Sequence, residues 1–289
     1  MVFVGVGSLF GSDHAALTMA NVPPQSQRWF SAAYENEAYF FSKKLAESLA
    51  CAEHPVVPAM IPTIFSCEHA TCAVPEAYKE ALSKDMERIT SPEGWDLGAL
   101  NLAQALSMKF RTPLVHCEIS RLIIDCHLQE SEPSRWSDCS MKLTEAQREK
   151  LHERQLLPHL SLLRQRISNE LERNSSVLHV SVHTFDPQLH PDLHVCLLYS
   201  EGRVGESSLA LQWLQAMQEK LPALTIKGNE VFYPDQIKTL LDTLRKERSS
   251  AEYQGIELQV SNQMFLDAQP MRWDAFKNGL IDSLRTVLQ

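Results

Sequence analysis

Glycine is scarce in this chain, with 10 in 289 residues, roughly half the usual ~7%. An architecture of many tight β-turns is therefore not expected. Positive charge is also in deficit: 27 Lys and Arg stand against 36 Asp and Glu, a formal net charge of −9. Proteins that bind nucleic acid or anionic membranes draw affinity from neutralising phosphates, so neither partner is expected. No apolar run reaches the ~18 residues needed to span a bilayer. The seven cysteines are odd in number and contain no C-x-x-C pair, which leaves no zinc knuckle, redox motif or need for a disulfide scaffold. The apolar stretch Met1 to Phe10 lacks the basic residues of a signal peptide. Reduced thiols and a cytoplasmic location are the expectation.

The rest of the composition, 44% hydrophobic and 22% charged, is that of an ordinary globular chain. Residues 1–35 read as an irregular N-terminal extension and Glu37 to Ala50 as a helix. Strand-like and helix-like segments then alternate. Pro62–Cys67, Pro113–Glu118, Leu122–Asp125, Val177–Val182, Leu193–Tyr199, Leu224–Lys227 and Gly255–Val260 read as strands. Val74–Met86, Leu97–Phe110, Ser208–Leu221, Asp235–Arg248 and a last segment around Trp273 to Leu288 have helical spacing. Thr144 with Gln147 has the form of a capping box opening a long helix, which Pro158 should kink. Residues 126–142, rich in Ser, Asp, Glu and Pro, read as an exposed excursion. The alternation predicts one α/β domain over residues 1–289, with a mostly parallel central sheet and helices on both faces.

In an open α/β sheet, ligands gather at the carboxyl ends of the strands. One strand ends in Ser66-Cys67-Glu68-His69 and another in Ser181-Val182-His183-Thr184, while Asp96 precedes a helix near the same rim. Two histidines and a carboxylate could make a three-ligand catalytic zinc site; the same residues could also cap helices or bond to loops. Glu257 alternates with Ile256, Leu258 and Val260. It lies either on a solvated face shared with Gln259 and Ser261, or buried as a general base. Arg121 could fork onto a substrate carboxylate or pair with Asp125. Cys67 and Cys72 have no indicated partner for nucleophilic chemistry.

These segments, in this order, resemble the N-formylglutamate amidohydrolase family. The residues carrying the resemblance are Ser66-Cys67-Glu68-His69-Ala70 with Pro75, then Trp95-Asp96-x-Gly98-Ala99 and Ser120-Arg121-Leu122-Ile123-Ile124-Asp125. They continue with Leu157-Pro158-His159, Ser181-Val182-His183-Thr184-Phe185-Asp186-Pro187, Asn229 with Tyr233, and Gly255-Ile256-Glu257. The resemblance implies a fold similar to the zinc-dependent exopeptidases and hydrolysis of the formyl amide of N-formylglutamate, with one Zn2+ per chain. It implies His69, Asp96 and His183 as metal ligands, with Glu68 the rival to Asp96. It also implies Glu257 as the base, and Arg121 and Tyr233 as substrate contacts.

The chain departs from the family pattern at Cys126-His127-Leu128, where Asn-Arg usually follows the aspartate. It also departs at Thr71-Cys72 and at Pro92-Glu93-Gly94. Three readings follow: an amidohydrolase of N-formylglutamate, a hydrolase of another small N-acyl amino acid, or a binding or regulatory protein that keeps the fold without catalysis.

Overall fold

A computed structural model of the chain describes residues 61–234, 237–267 and 269–289. The extension at 1–35 and the helix expected over Glu37 to Ala50 lie outside the described residues. Six strands form one sheet: β1 (Thr63–Cys67), β2 (Leu114–His116), β3 (Val177–Phe185), β4 (Val195–Leu198), β5 (Ile226–Gly228) and β6 (Tyr253–Ser261). Their order is β2-β1-β3-β6-β4-β5. Every neighbouring pair is parallel except β4 with β6. The expected mostly parallel sheet is present, with one reversal. Five longer helices pack on it: α1 (Ala99–Phe110), α2 (Leu157–Leu171), α3 (Val204–Lys220), α4 (Leu240–Glu247) and α5 (Pro270–Leu288).

Side chains alternate across a strand, so each strand writes two faces into its sequence. On one face Phe65, Val180, Val182, Ile256 and Leu258 are buried with Leu102, Trp213, Phe276 and Leu280 of α1, α3 and α5. The Trp213 indole donates to Ser283 Oγ at 3.0 Å and ties α3 to α5. The other face begins apolar, with Ile64, Val177 and Tyr253 against α2 and α4. Further along the same face the residues become Ser66, Ser181, His183, Glu257 and Gln259, all buried. The register sets Ser66 beside Ser181, Ser181 beside Glu257, and His183 beside Gln259. One half of a single sheet face is therefore a core and the other half a polar cluster.

Several expectations are corrected. Val74–Met86 is not one helix. It breaks into Glu76–Lys79, a 3-10 turn at Ser83–Asp85 and Met86–Thr90, because burying Tyr78, Leu82 and Ile89 in one small cluster outweighs helix propensity. Leu122–Asp125 is not a strand. Ile123 and Ile124 donate their backbone N–H to Ser120 O and wind into a buried turn that no strand edge meets. Residues 126–142 are exposed only in part. Cys126, His127 and Leu128 at one end and Cys139 and Ser140 at the other are buried. Leu128 bridges Thr239, and Gln129 N donates to Lys238 O, so the start of the excursion is tied to the body.

The long helix opens on the capping box at Thr144 and Gln147 as the sequence predicts. The helix continues through Pro158. A π-turn at His152–Leu156 absorbs the missing donor just ahead of α2. The helix expected from Asp235 begins at Leu240, with residues 235 and 236 outside the described residues.

His179 lies wholly inside β3, its ring nitrogens 2.8 Å from Ser66 Oγ and 2.8 Å from Tyr253 OH. Both nitrogens are satisfied in the neutral imidazole. Burial pushes its pKa down from 6.5 to about 4. As pH falls, the unfolded chain takes up this proton first, so a neutral His179 supports the fold above pH 6.5 and loses that support toward pH 4. The stability advantage of the native chain over His179→Gln should shrink across that window by up to about 3 kcal/mol. Urea unfolding of both proteins across the pH range measures the difference.

Candidate functional site

The polar half of the sheet face meets two loops. One follows β1 and carries Glu68 and His69. The other, residues 91–98, precedes α1 and carries Asp96, whose backbone N–H donates to His69 O at 3.0 Å. Gly98 closes that loop with φ +87°, and a Cβ there would lie 2.7 Å from the Phe265 ring. Gly94 leaves room for Ile89 O, which a Cβ would meet at 1.8 Å. Only glycine fits at either position, so the Asp96 loop has one geometry.

The side chains then alternate in a continuous ladder of acids and imidazoles. Asp125 Oδ1 is 2.7 Å from His69 Nε2, and His69 Nδ1 is 3.3 Å from Asp96 Oδ2. Asp96 Oδ2 is 2.8 Å from His183 Nδ1. His183 Nε2 lies 2.9 Å from Ser181 Oγ and 3.2 Å from Glu68 Oε2. Glu68 also accepts from Ser181 Oγ at 2.6 Å and meets His159 Nε2 at 3.1 Å. Asp96 thus sits between the two Nδ1 atoms, while Asp125 and Glu68 hold the far nitrogens. Arg121 Nη1 closes the set by donating to Asp96 Oδ1 at 2.8 Å.

A second group stands beside it. Tyr233 OH donates to Glu257 Oε2 at 2.7 Å, and Gln259 Nε2 donates to Oε1 at 2.6 Å. His127 Nε2 is 3.1 Å from Glu257 Oε2 but is not aligned for a hydrogen bond, and its Nδ1 has no partner either. The His127 ring is 4.5 Å from that of His183 and 5.7 Å from that of His69. Buried donor atoms converge in two groups, His69-Asp96-His183 and Glu68-His127-His183, each with its atoms within 4.8 Å of one another.

The charges are strongly mutual. Burial alone would raise the Glu68 carboxyl, yet hydrogen bonds from His159 and His183 hold it well below the ordinary range. Burial would also raise Asp96, but His69, Arg121 and His183 hold it low. Asp125, countering its own burial, is held at about 2 by His69. Burial lowers and the carboxylates raise His183, with a net rise well above the usual value. Glu257 would rise on burial but is brought to about 2 by His127, His183 and the Tyr233 hydroxyl. All four acids are ionised at neutral pH.

The site opens into a cavity of about 560 Å³ whose wall includes His69, Asp96, Arg121, His127, His183 and Tyr233. Glu257 lies behind His127 and Tyr233, on the wall of a smaller cavity of about 260 Å³ that shares Tyr233.

The structure brings His69, Asp96, His183, Arg121, Tyr233 and Glu257 into one neighbourhood. Arg121 pairs with Asp96 rather than with Asp125, which belongs to His69. The strand face of Glu257 and Gln259 is buried rather than solvated. Glu68 touches two histidines and a serine and lines neither cavity. Sequence reasoning missed His127, read only as a departure from a motif, and Gln259, whose signal was its same-face position two residues beyond Glu257. It also left His159 without a role and gave Asp125 only that of a partner for Arg121.

No helix among the described residues is long and apolar enough to cross a membrane. Comparison with the curated proteins gave no significant match. Among solved structures, a gene product of Agrobacterium tumefaciens superposes with TM-score 0.66 at 24% identity, covering 78% of this chain and 90% of that one. An N-formylglutamate amidohydrolase from Ralstonia eutropha JMP134 superposes with TM-score 0.59 at 16% identity, covering 79% and 93%. Both likenesses concern the fold. The family model for N-formylglutamate amidohydrolase matches residues 61–259, from the approach to β1 to the glutamate strand, so this chain belongs to the N-formylglutamate amidohydrolase family.

Proposed function

We propose that this chain is a zinc-dependent amidohydrolase that cleaves the N-acyl amide of a small N-acyl amino acid, N-formylglutamate or a relative of it. The observation that carries the reading is the convergence of His69 Nδ1, His183 Nδ1 and Asp96 Oδ2 on one another. In metal sites a ligating histidine has its other nitrogen held by a carboxylate or carbonyl; here Asp125 and Glu68 do so. On this reading His69, Asp96 and His183 are the ligands, and Glu68 orients His183.

The residues present fit a divalent cation. Nitrogen and oxygen donors suit zinc. The buried carboxylates of Glu68, Asp96 and Glu257 and the partly exposed Asp125 are matched by Arg121 and by the imidazoles of His69 and His183, whose protons a divalent cation would replace. The orphaned nitrogens of His127 beside the set are a further polar demand. A bound cation would supply Lewis-acid polarisation of the amide carbonyl and a water acidified toward ~7.

The protein's own residues do the rest. Glu257, ionised and fixed by Tyr233 and Gln259, accepts the proton of the attacking water and delivers it to the departing amine nitrogen. Tyr233, on the wall of both cavities, meets the substrate beside that carboxylate. Arg121 takes a substrate carboxylate with the N–H that Glu93, Pro92, Asp96 and His69 leave free. The free thiols of the described cysteines suit a reducing, cytoplasmic setting.

Three outcomes are expected. Elemental analysis of the purified chain should find about one zinc per chain, lost in His69→Ala and in His183→Ala; a folded, metal-free native chain would sink the proposal. Glu257→Gln should keep its metal while kcat falls by ~10² to 10⁴, measured as release of the acyl acid. Asp125→Asn should weaken zinc affinity about 10- to 100-fold through the orientation of His69, read by chelator competition.

A further inference from the structure

The large cavity has a composition that its ligand must match. Its wall carries Leu97, Leu128, Phe185, Leu189, Phe232 and Ile237. Phe185 and Phe232 meet edge to face at 5.0 Å and pack on Leu193 and Cys196, so this part of the wall is preformed. Leu128 is held in place by its bridge to Thr239 and is 8% exposed.

Cationic groups are few on the same wall. Among the described residues that line it, Arg121 is the one Lys or Arg. Its Nε donates to Glu93 O at 2.7 Å, Nη1 to Asp96 Oδ1 at 2.8 Å and Nη2 to Pro92 O at 3.2 Å. A guanidinium has five N–H groups, and Nη1 also lies 3.4 Å from His69 Nδ1, so one N–H remains, on Nη2, enough for a single carboxylate. Glu93 and Asp186 add negative charge to the wall. A ligand with two carboxylates would leave one of them desolvated against leucine and phenylalanine and facing acids, an unfavourable burial.

Resting on the amidohydrolase reading, we infer that the cavity selects N-acyl derivatives of amino acids with an apolar side chain over those of acidic amino acids. Arg121 receives the one carboxylate of such a substrate. Its side chain lies against Leu128, Phe185, Phe232 and Ile237.

The test compares N-formyl-leucine with N-formylglutamate on the full zinc-loaded chain. Binding is read by calorimetry on Glu257→Gln, and turnover as formate release by the native protein. N-formyl-leucine should bind at least about tenfold tighter and show the higher kcat/KM. Equal or tighter binding of N-formylglutamate, or no binding of either compound, overturns the inference. Tighter binding of N-formyl-leucine without formate release from any compound would sustain the ligand class and sink the amidohydrolase reading instead. Leu128→Arg, with its fold checked by thermal melting, places a second guanidinium on the wall and should raise N-formylglutamate affinity at least about tenfold. A folded variant with unchanged preference counts against the inference.

Discussion

The alternation of carboxylate and imidazole from Asp125 through His69, Asp96 and His183 to Glu68 and His159 is the constraint on which the site depends. Removing an ion from water into a protein interior costs several kcal/mol even after relaxation, and Glu68 and Asp96 are almost wholly buried. Each acid is tolerable there only because a histidine or arginine lies on it. His69 and His183 are fixed in turn, each with Nδ1 toward Asp96 and its ring plane set by the acid on the other side. A ladder of this kind has little freedom: moving one rung leaves a charge without a partner.

The sheet supplies the spacing that the ladder needs. Parallel pairing of β1, β3 and β6 places the polar positions of three distant segments in one row, and the period of two keeps them on a face apart from the core. Near the strand starts this face is apolar and sealed by α2 and α4. Toward the strand ends it becomes polar, where the Asp96 loop and the His127 segment close over it. His179 marks the changeover, neutral and satisfied between Ser66 and Tyr253. The same strands therefore carry both stability and chemistry, and the boundary between the two runs across the face.

The family match and the cavity wall overlap along the chain. The family match covers the strand ends and the loops that hold the ladder. The cavity wall is built partly from apolar residues that take no part in that ladder, notably Leu128 and the Phe185–Phe232 pair. His127 sits where the two meet. Its backbone belongs to the segment leading to Leu128, and its ring stands between His183 and Glu257.

Much was legible in the sequence. The β-α alternation carried the mostly parallel sheet, Thr144 and Gln147 carried a helix start, and His69, Asp96, His183 and Glu257 could be named from strand ends, a helix start and alternation in an apolar run, together with the family resemblance. Those signals are local: hydrophobic period, caps and strand termini depend on residues a few positions apart. Tertiary structure alone decided that Arg121 pairs with Asp96, that Asp125 and Glu68 hold the far nitrogens of two histidines, and that 126–128 fold inward. Each of these joins groups separated by tens of residues. Which buried charge meets which partner is set by strand register and loop closure, and a linear pattern does not carry that information.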